Sequence, residues 1–243
     1  MKRLQGMSRP LQAIVFDFDG VIANSEPLHL KAFQQALAPE GIDLAPAEYY
    51  ARYLGYDDVG VFEALARDKG LRIGNGRIHE LIARKAELFQ RRAAAQHVLF
   101  PGAAASVQAI SAHCPVAIAS GALRDDIETI LRSTQLVSIF SVIVAAGETP
   151  QGKPAPDPYA RALALLADRL KSTMRPERAV AIEDSHWGLE SARAAGFRTI
   201  AVTTSYEARD LGSSDLIVPD ISHVTPELLD RVVSGRARAR REA

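Results

Sequence analysis

The stretch AIVFDFDGVIANSEPLHL, residues 13–30, decides how this chain is built. Its apolar, β-branched start reads as a strand, and two aspartates, Asp17 and Asp19, follow where that strand ends. Side chains two residues apart on an extended chain share a face. Two carboxylates about 4 Å apart, at an effective dielectric of about 20, repel by roughly 4 kcal/mol. The pair therefore calls for a positive charge between its members. Gly20 permits a sharp turn directly afterwards.

Outward from this stretch, short apolar runs recur at residues 11–16, 115–119, 142–145, 179–182, 198–202 and 216–218. Segments with helical spacing lie between them, such as Ile127, Ile130 and Leu131, or Tyr159, Leu163 and Leu166. Strands alternating with helices predict an α/β fold, a doubly wound parallel sheet with helices on both faces. The alternation fails once. From Ser25 to Gln96 no strand is evident and helical patterns dominate, as in Leu30, Phe33 and Leu37. This predicts an α-helical cap domain over residues 25–96, inserted into a catalytic core made of residues 1–24 and 97–243. Pro101 and Gly102 mark the return to the core.

Composition narrows the function. Of 243 residues, 29 are Lys or Arg and 29 Asp or Glu, and this balance argues against a nucleic-acid partner. No segment approaches the roughly 20 apolar residues of a membrane span. The single cysteine, Cys114, can form no disulfide within the chain, and MKRLQGMSRP lacks an apolar signal stretch; both point to the cytoplasm. The tail GRARARREA reads as a solvated terminus. The helical spacing of the cap is satisfied by packing within a four-helix unit, so a monomer is expected, with a dimer as the alternative.

Ligands in such sheets bind beyond the carboxyl ends of the strands, and four groups of polar residues fall there. They are Asp17 with Asp19, Ser120 with Gly121, Lys153, and Glu183 with Asp184. Hard oxygen ligands in that number suit Mg²⁺, which takes carboxylates, water and a phosphate oxygen. The hydroxyl, the ammonium and free backbone N–H groups suit the other phosphate oxygens. A carboxylate can attack phosphorus when nearby cations neutralise the group attacked.

In order and spacing, DFDGVIANSEPLH, ASGALR, GKPAPDPY and IEDSHWGLESARAAG resemble the four motifs of the haloacid dehalogenase superfamily of phosphotransferases. The likeness is to the helical-cap branch that holds β-phosphoglucomutase-like enzymes and sugar-phosphate phosphatases. It implies that Asp17 is the nucleophile and Asp19 the general acid and base. It further implies that Asp17, Asp184 and the Asp19 carbonyl hold Mg²⁺, with Glu183 either a further ligand or a group behind the ligands, and that Ser120, Gly121 and Lys153 bind the phosphoryl oxygens. An aspartate at position 19 favours C–O–P ester chemistry over dehalogenation. His29 and Arg124 are expected to meet substrate, with Ser25 at the hinge. The cap lysine and arginine of the mutases are not evident, and Arg52 stands as a substitute. The reading is thus a Mg²⁺-dependent phosphatase that acts on a small phosphorylated metabolite, a sugar phosphate by preference, through an aspartyl-phosphate. A phosphomutase and a phosphate-binding protein without turnover are the rivals.

Other residues read as structural. Asp157 before Pro158 predicts an N-cap, and Ser185 predicts another for the helix that Gly196 ends. His186 and Trp187 then fall in a first turn as packing residues. No pair of histidines has zinc-site spacing.

Overall fold

The computed structural model describes residues 11–53, 56, 58–71, 74–96 and 98–235. The N-terminal MKRLQGMSRP and the arginine-rich tail beyond Gly235 lie outside the described residues. Six strands are present among them: β1 (Ala13–Phe16), β2 (Val116–Ala119), β3 (Val142–Val144), β4 (Ala179–Glu183), β5 (Arg198–Val202) and β6 (Leu216–Val218). They form one parallel sheet in the order β3-β2-β1-β4-β5-β6.

The strands are apolar runs because both faces are covered. Ile14, Phe16, Ile118, Val180 and Ile182 point to one side, where they join Val107, Ile127 and Leu229. Those residues belong to α5 (Ala103–Ser111), α6 (Arg124–Ser133) and α9 (Pro226–Val233). Ala13, Val15, Ala117, Ala119 and Ala181 point to the other, against Tyr159, Leu163 and Leu166 of α7 (Asp157–Arg169) and Ala192 of α8 (His186–Ala194). Small alanines on this face leave room for the large side chains of α7.

Between β1 and α5 lie α1 (Glu26–Leu37), α2 (Pro46–Arg52), α3 (Asp58–Asp68) and α4 (Asn75–Ala95). Their apolar stripes meet in a core of their own, built on Phe33, Leu37, Tyr49, Phe62, Leu65 and Leu81. Two strands of chain join this insertion to the sheet. They run side by side, with Asn24 N–H donating to Val98 C=O at 2.6 Å and Phe100 N–H to Ile22 C=O at 3.0 Å. A second link lies between α4 and α6, where Gln90 donates to Asp126 at 2.6 Å and accepts from the Thr129 hydroxyl.

Two capping expectations come out differently. Ser185 caps α8, its hydroxyl accepting from Gly188 N–H at 3.1 Å. Asp157 is the first residue of α7 rather than its cap, and its carboxylate accepts from Gln151 N–H at 3.3 Å.

Candidate active site

Strand order reverses at β1. The chain builds β1, β2 and β3 outward on one side and then crosses to start β4 on the other. The crevice at such a reversal lies beyond the strand ends. Asp17 is the first residue past β1, and its N–H still donates to Ile182 C=O of β4 at 2.9 Å. Glu183 ends β4 and Asp184 follows it. Ser120 follows β2 and is buried, with its hydroxyl accepting from Ala122 N–H at 3.1 Å, while Gly121 beside it is exposed.

Lys153 reaches this point from the loop before α7. Its ammonium lies 2.6 Å from Asp17 and 2.5 Å from Glu183. Burial alone would lower the lysine, yet Asp17 and Glu183 outweigh it and hold the ammonium charged. Asp17 is pushed upward by burial, with Lys153 opposing and Glu183 adding to the rise. Asp184 is driven well up by burial, then by Glu183 and Asp17. Asp17, Glu183 and Asp184 each offer an oxygen within 4.8 Å of the others. Three buried carboxylates against one ammonium leave an excess of negative charge that a divalent cation would neutralise.

The three are not equivalent. Glu183 Oε1 accepts from Lys153 and from the Tyr159 hydroxyl at 2.8 Å. Its Oε2 accepts from the N–H groups of Asp184 and Ser185 at 3.1 and 3.2 Å and from the Ser185 hydroxyl at 3.0 Å. Gly188 makes room for it, since a Cβ there would lie 1.8 Å from Oε1. Asp184 packs as tightly on Gly20, whose φ is +80°, and a Cβ at Gly20 would fall 1.8 Å from Oδ2. The glycine expected only to turn the chain thus also gives Asp184 its place.

Asp19 faces the helical insertion. Ser25 occupies the N-cap of α1 without capping it, because its hydroxyl donates to Asp19 Oδ1. Burial raises Asp19 to about 7, against the lowering effect of that bond. Two neighbouring aspartates therefore sit in different surroundings, one held by an ammonium and the other by a hydroxyl.

His29 lies on α1 and stacks on Phe89 at 4.3 Å. Loss of water, and then Lys85, hold its imidazole well below the usual range. Lys85 lies 2.9 Å from His29 Nδ1 and 2.6 Å from Asp58, and it is 1% exposed. An ammonium only donates, so the neutral ring accepts through Nδ1. The sequence reading passed over this lysine; the insertion does carry one beside His29. Arg52 is turned to Asp68 on α3 at 2.8 Å. Arg124 is held by Glu148 at 2.5 Å and by Ile143 C=O at 2.8 Å. It borders a cleft of about 710 Å³ between α4 and α6, together with Glu87, Gln90, Arg91, Asp125 and Asp126.

Fold and clustered strand-end carboxylates define an α/β enzyme. The chain belongs to the haloacid dehalogenase-like hydrolases, whose family profile matches residues 14–202. It is 33% identical to the protein CbbY of Rhodobacter capsulatus over 222 residues, 87% of this chain and 94% of that one. It is 28% identical to a phosphorylated carbohydrates phosphatase of Thermotoga maritima, covering 78% of this chain and 84% of the relative. A mutant of CbbY from Rhodobacter sphaeroides, solved with xylulose-(1,5)bisphosphate, superposes with a TM-score of 0.77. The identity is 28%, over 88% of this chain and 96% of that one. Among the described residues no helix is long and apolar enough to cross a membrane.

Proposed function

We propose that this protein is a Mg²⁺-dependent phosphatase that hydrolyses a phosphorylated sugar through an aspartyl-phosphate at Asp17. The observation that carries the reading is the difference in surroundings between Asp17, 2.6 Å from the Lys153 ammonium, and Asp19, bonded to the Ser25 hydroxyl, while burial raises both to about 7. The phosphatase named for phosphorylated carbohydrates and the CbbY complex with a sugar bisphosphate support the substrate class.

Asp17 and Asp184 would hold the ion, with the Asp19 carbonyl as a third ligand. Glu183, whose oxygens are taken by Lys153, Tyr159, Ser185 and backbone N–H groups, positions Lys153 instead. A bound Mg²⁺ supplies charge neutralisation for the phosphoryl group. In the first half-reaction a carboxylate oxygen of Asp17 bonds to phosphorus, the bond to the sugar oxygen breaks, and Asp19 gives that oxygen its proton. In the second, Asp19 takes a proton from water, the water oxygen bonds to phosphorus, and the bond to Asp17 breaks. A group near pH 7 suits both transfers. Lys153, the Ser120 hydroxyl and the Gly121 N–H hold the phosphoryl oxygens. His29 faces the rest of the substrate from the insertion, held from behind by the buried Lys85.

Asp17→Asn tests the reading. Phosphate release from sugar phosphates should fall at least about 1000-fold, with the circular dichroism spectrum unchanged; substantial residual activity would sink the mechanism. The buried lysine beside His29 keeps a β-phosphoglucomutase-like reaction as a second reading. β-Glucose 1-phosphate with a catalytic bisphosphate yields glucose 6-phosphate if the phosphoryl group returns to sugar, and free phosphate if it goes to water.

A further inference from the structure

Trp187 is the only tryptophan in the chain, and it is 43% exposed in the first turn of α8. It packs on its neighbour His186, as a first-turn residue was expected to, yet leaves much of its ring open. Its ring lies 4.0 Å from that of His186, tilted by 39°, and the Tyr206 ring meets His186 edge-on at 5.3 Å. The three rings make a row that spans the carboxyl ends of β4 and β5. Tyr206 packs against the cluster of Leu189, Ala201 and Leu211, so the inner end is anchored while Trp187 stays open.

The row adjoins the carboxylates. His186 and Trp187 follow Asp184 by two and three residues. Tyr206 follows Ser205, whose hydroxyl lies with the Asp184 carboxylate against Gly20 and draws that carboxyl down. Burial raises the Tyr206 phenol, and Asp184 and Glu26 add to that rise, so its hydroxyl lies in the field of both the core and α1 of the insertion. The row thus lies at the strand ends that carry Glu183 and Asp184, with the Trp187 ring exposed there. The C–H face of a sugar ring is apolar and weakly positive, and it matches the negative face of an aromatic ring.

We propose that Trp187, with His186 and Tyr206 behind it, is a stacking platform for the sugar part of the substrate. The platform rests on the phosphatase reading and adds a preference for ring-form sugars to it. Because the chain has one tryptophan, fluorescence of the Asp17→Asn variant reports on this ring alone. With Mg²⁺ present, glucose 6-phosphate and other hexose phosphates should quench it saturably, and inorganic phosphate at equal ionic strength should not. In kinetics, Trp187→Ala should lower the ratio of kcat/KM for the best hexose phosphate to that for phosphoglycolate about tenfold, mainly through KM. Trp187→Phe, which keeps a ring, should restore most of the loss. An unchanged ratio in Trp187→Ala, or equal quenching by inorganic phosphate, overturns the platform and leaves the phosphatase standing. No phosphate release by the unmodified protein from any sugar phosphate overturns the phosphatase reading, and the platform with it.

Discussion

At the scale of single residues the site is a packing problem as much as an electrostatic one. Asp184 and Glu183 are each seated against a glycine, and neither glycine tolerates a side chain. Gly188→Ala would force a methyl group into the Glu183 carboxylate, which is pinned on both oxygens and has nowhere to move. Overpacking of this kind costs about 1–3 kcal/mol, which lowers Tm by about 5 °C in a chain of this size. Activity should fall further than stability accounts for, because Glu183 fixes Lys153. A thermal melt and a phosphatase assay on one preparation check both, and a variant with wild-type Tm and turnover would refute the seat. The sequence displayed Asp17, Asp19, Lys153 and Asp184 plainly, since their motifs are contiguous. It hid Lys85, a charged residue on an amphipathic helix that reads as solvated until Asp58 and His29, distant along the chain, close over it.

Strands were legible for a physical reason. Buried parallel strands are largely apolar runs, and β1 to β6 fall on the six runs the sequence offers, with β4 reaching one residue further to Glu183. Links between elements were not legible, because a polar pair such as Gln90 and Asp126 gives no periodic signal. Asp126 is 4% exposed and raised from 3.8 to about 6, chiefly by burial, although Lys85 and the Gln90 bond pull it down. A carboxyl raised on folding contributes stability that is complete below about pH 4 and is lost as pH rises through about 6. Asp126→Asn keeps an acceptor for Gln90 and removes the charge. Its Tm should match that of the unmodified protein near pH 4 and exceed it by about 5 °C at pH 7.5. An offset that is the same at both pH values would show that the charge is not what burial penalises.

Across the whole molecule, the sheet carries two apolar faces and the insertion a third core, and the carboxylates gather where the chain crosses from β3 to β4. Folding brings Asp17, Glu183 and Asp184 within 4.8 Å, and among the described residues the Lys153 ammonium is the cation that meets them, so the native state without a metal ion bears unbalanced buried charge. A cation that binds this state and not the unfolded chain stabilises it by about 2.7 kcal/mol at one hundred times its dissociation constant. Saturating Mg²⁺ should then raise Tm by about 5–10 °C over protein treated with chelator. The same charge predicts the opposite behaviour of a variant. Asp184→Asn removes a carboxyl that burial, Glu183 and Asp17 push upward, so in chelator it should melt above the unmodified protein. On adding Mg²⁺ its Tm should barely move, so the order of the two proteins reverses. Differential scanning calorimetry of both, with and without Mg²⁺, reads the crossing directly. Parallel shifts in the two proteins would mean that the ion binds elsewhere and that the cluster is held by Lys153 alone.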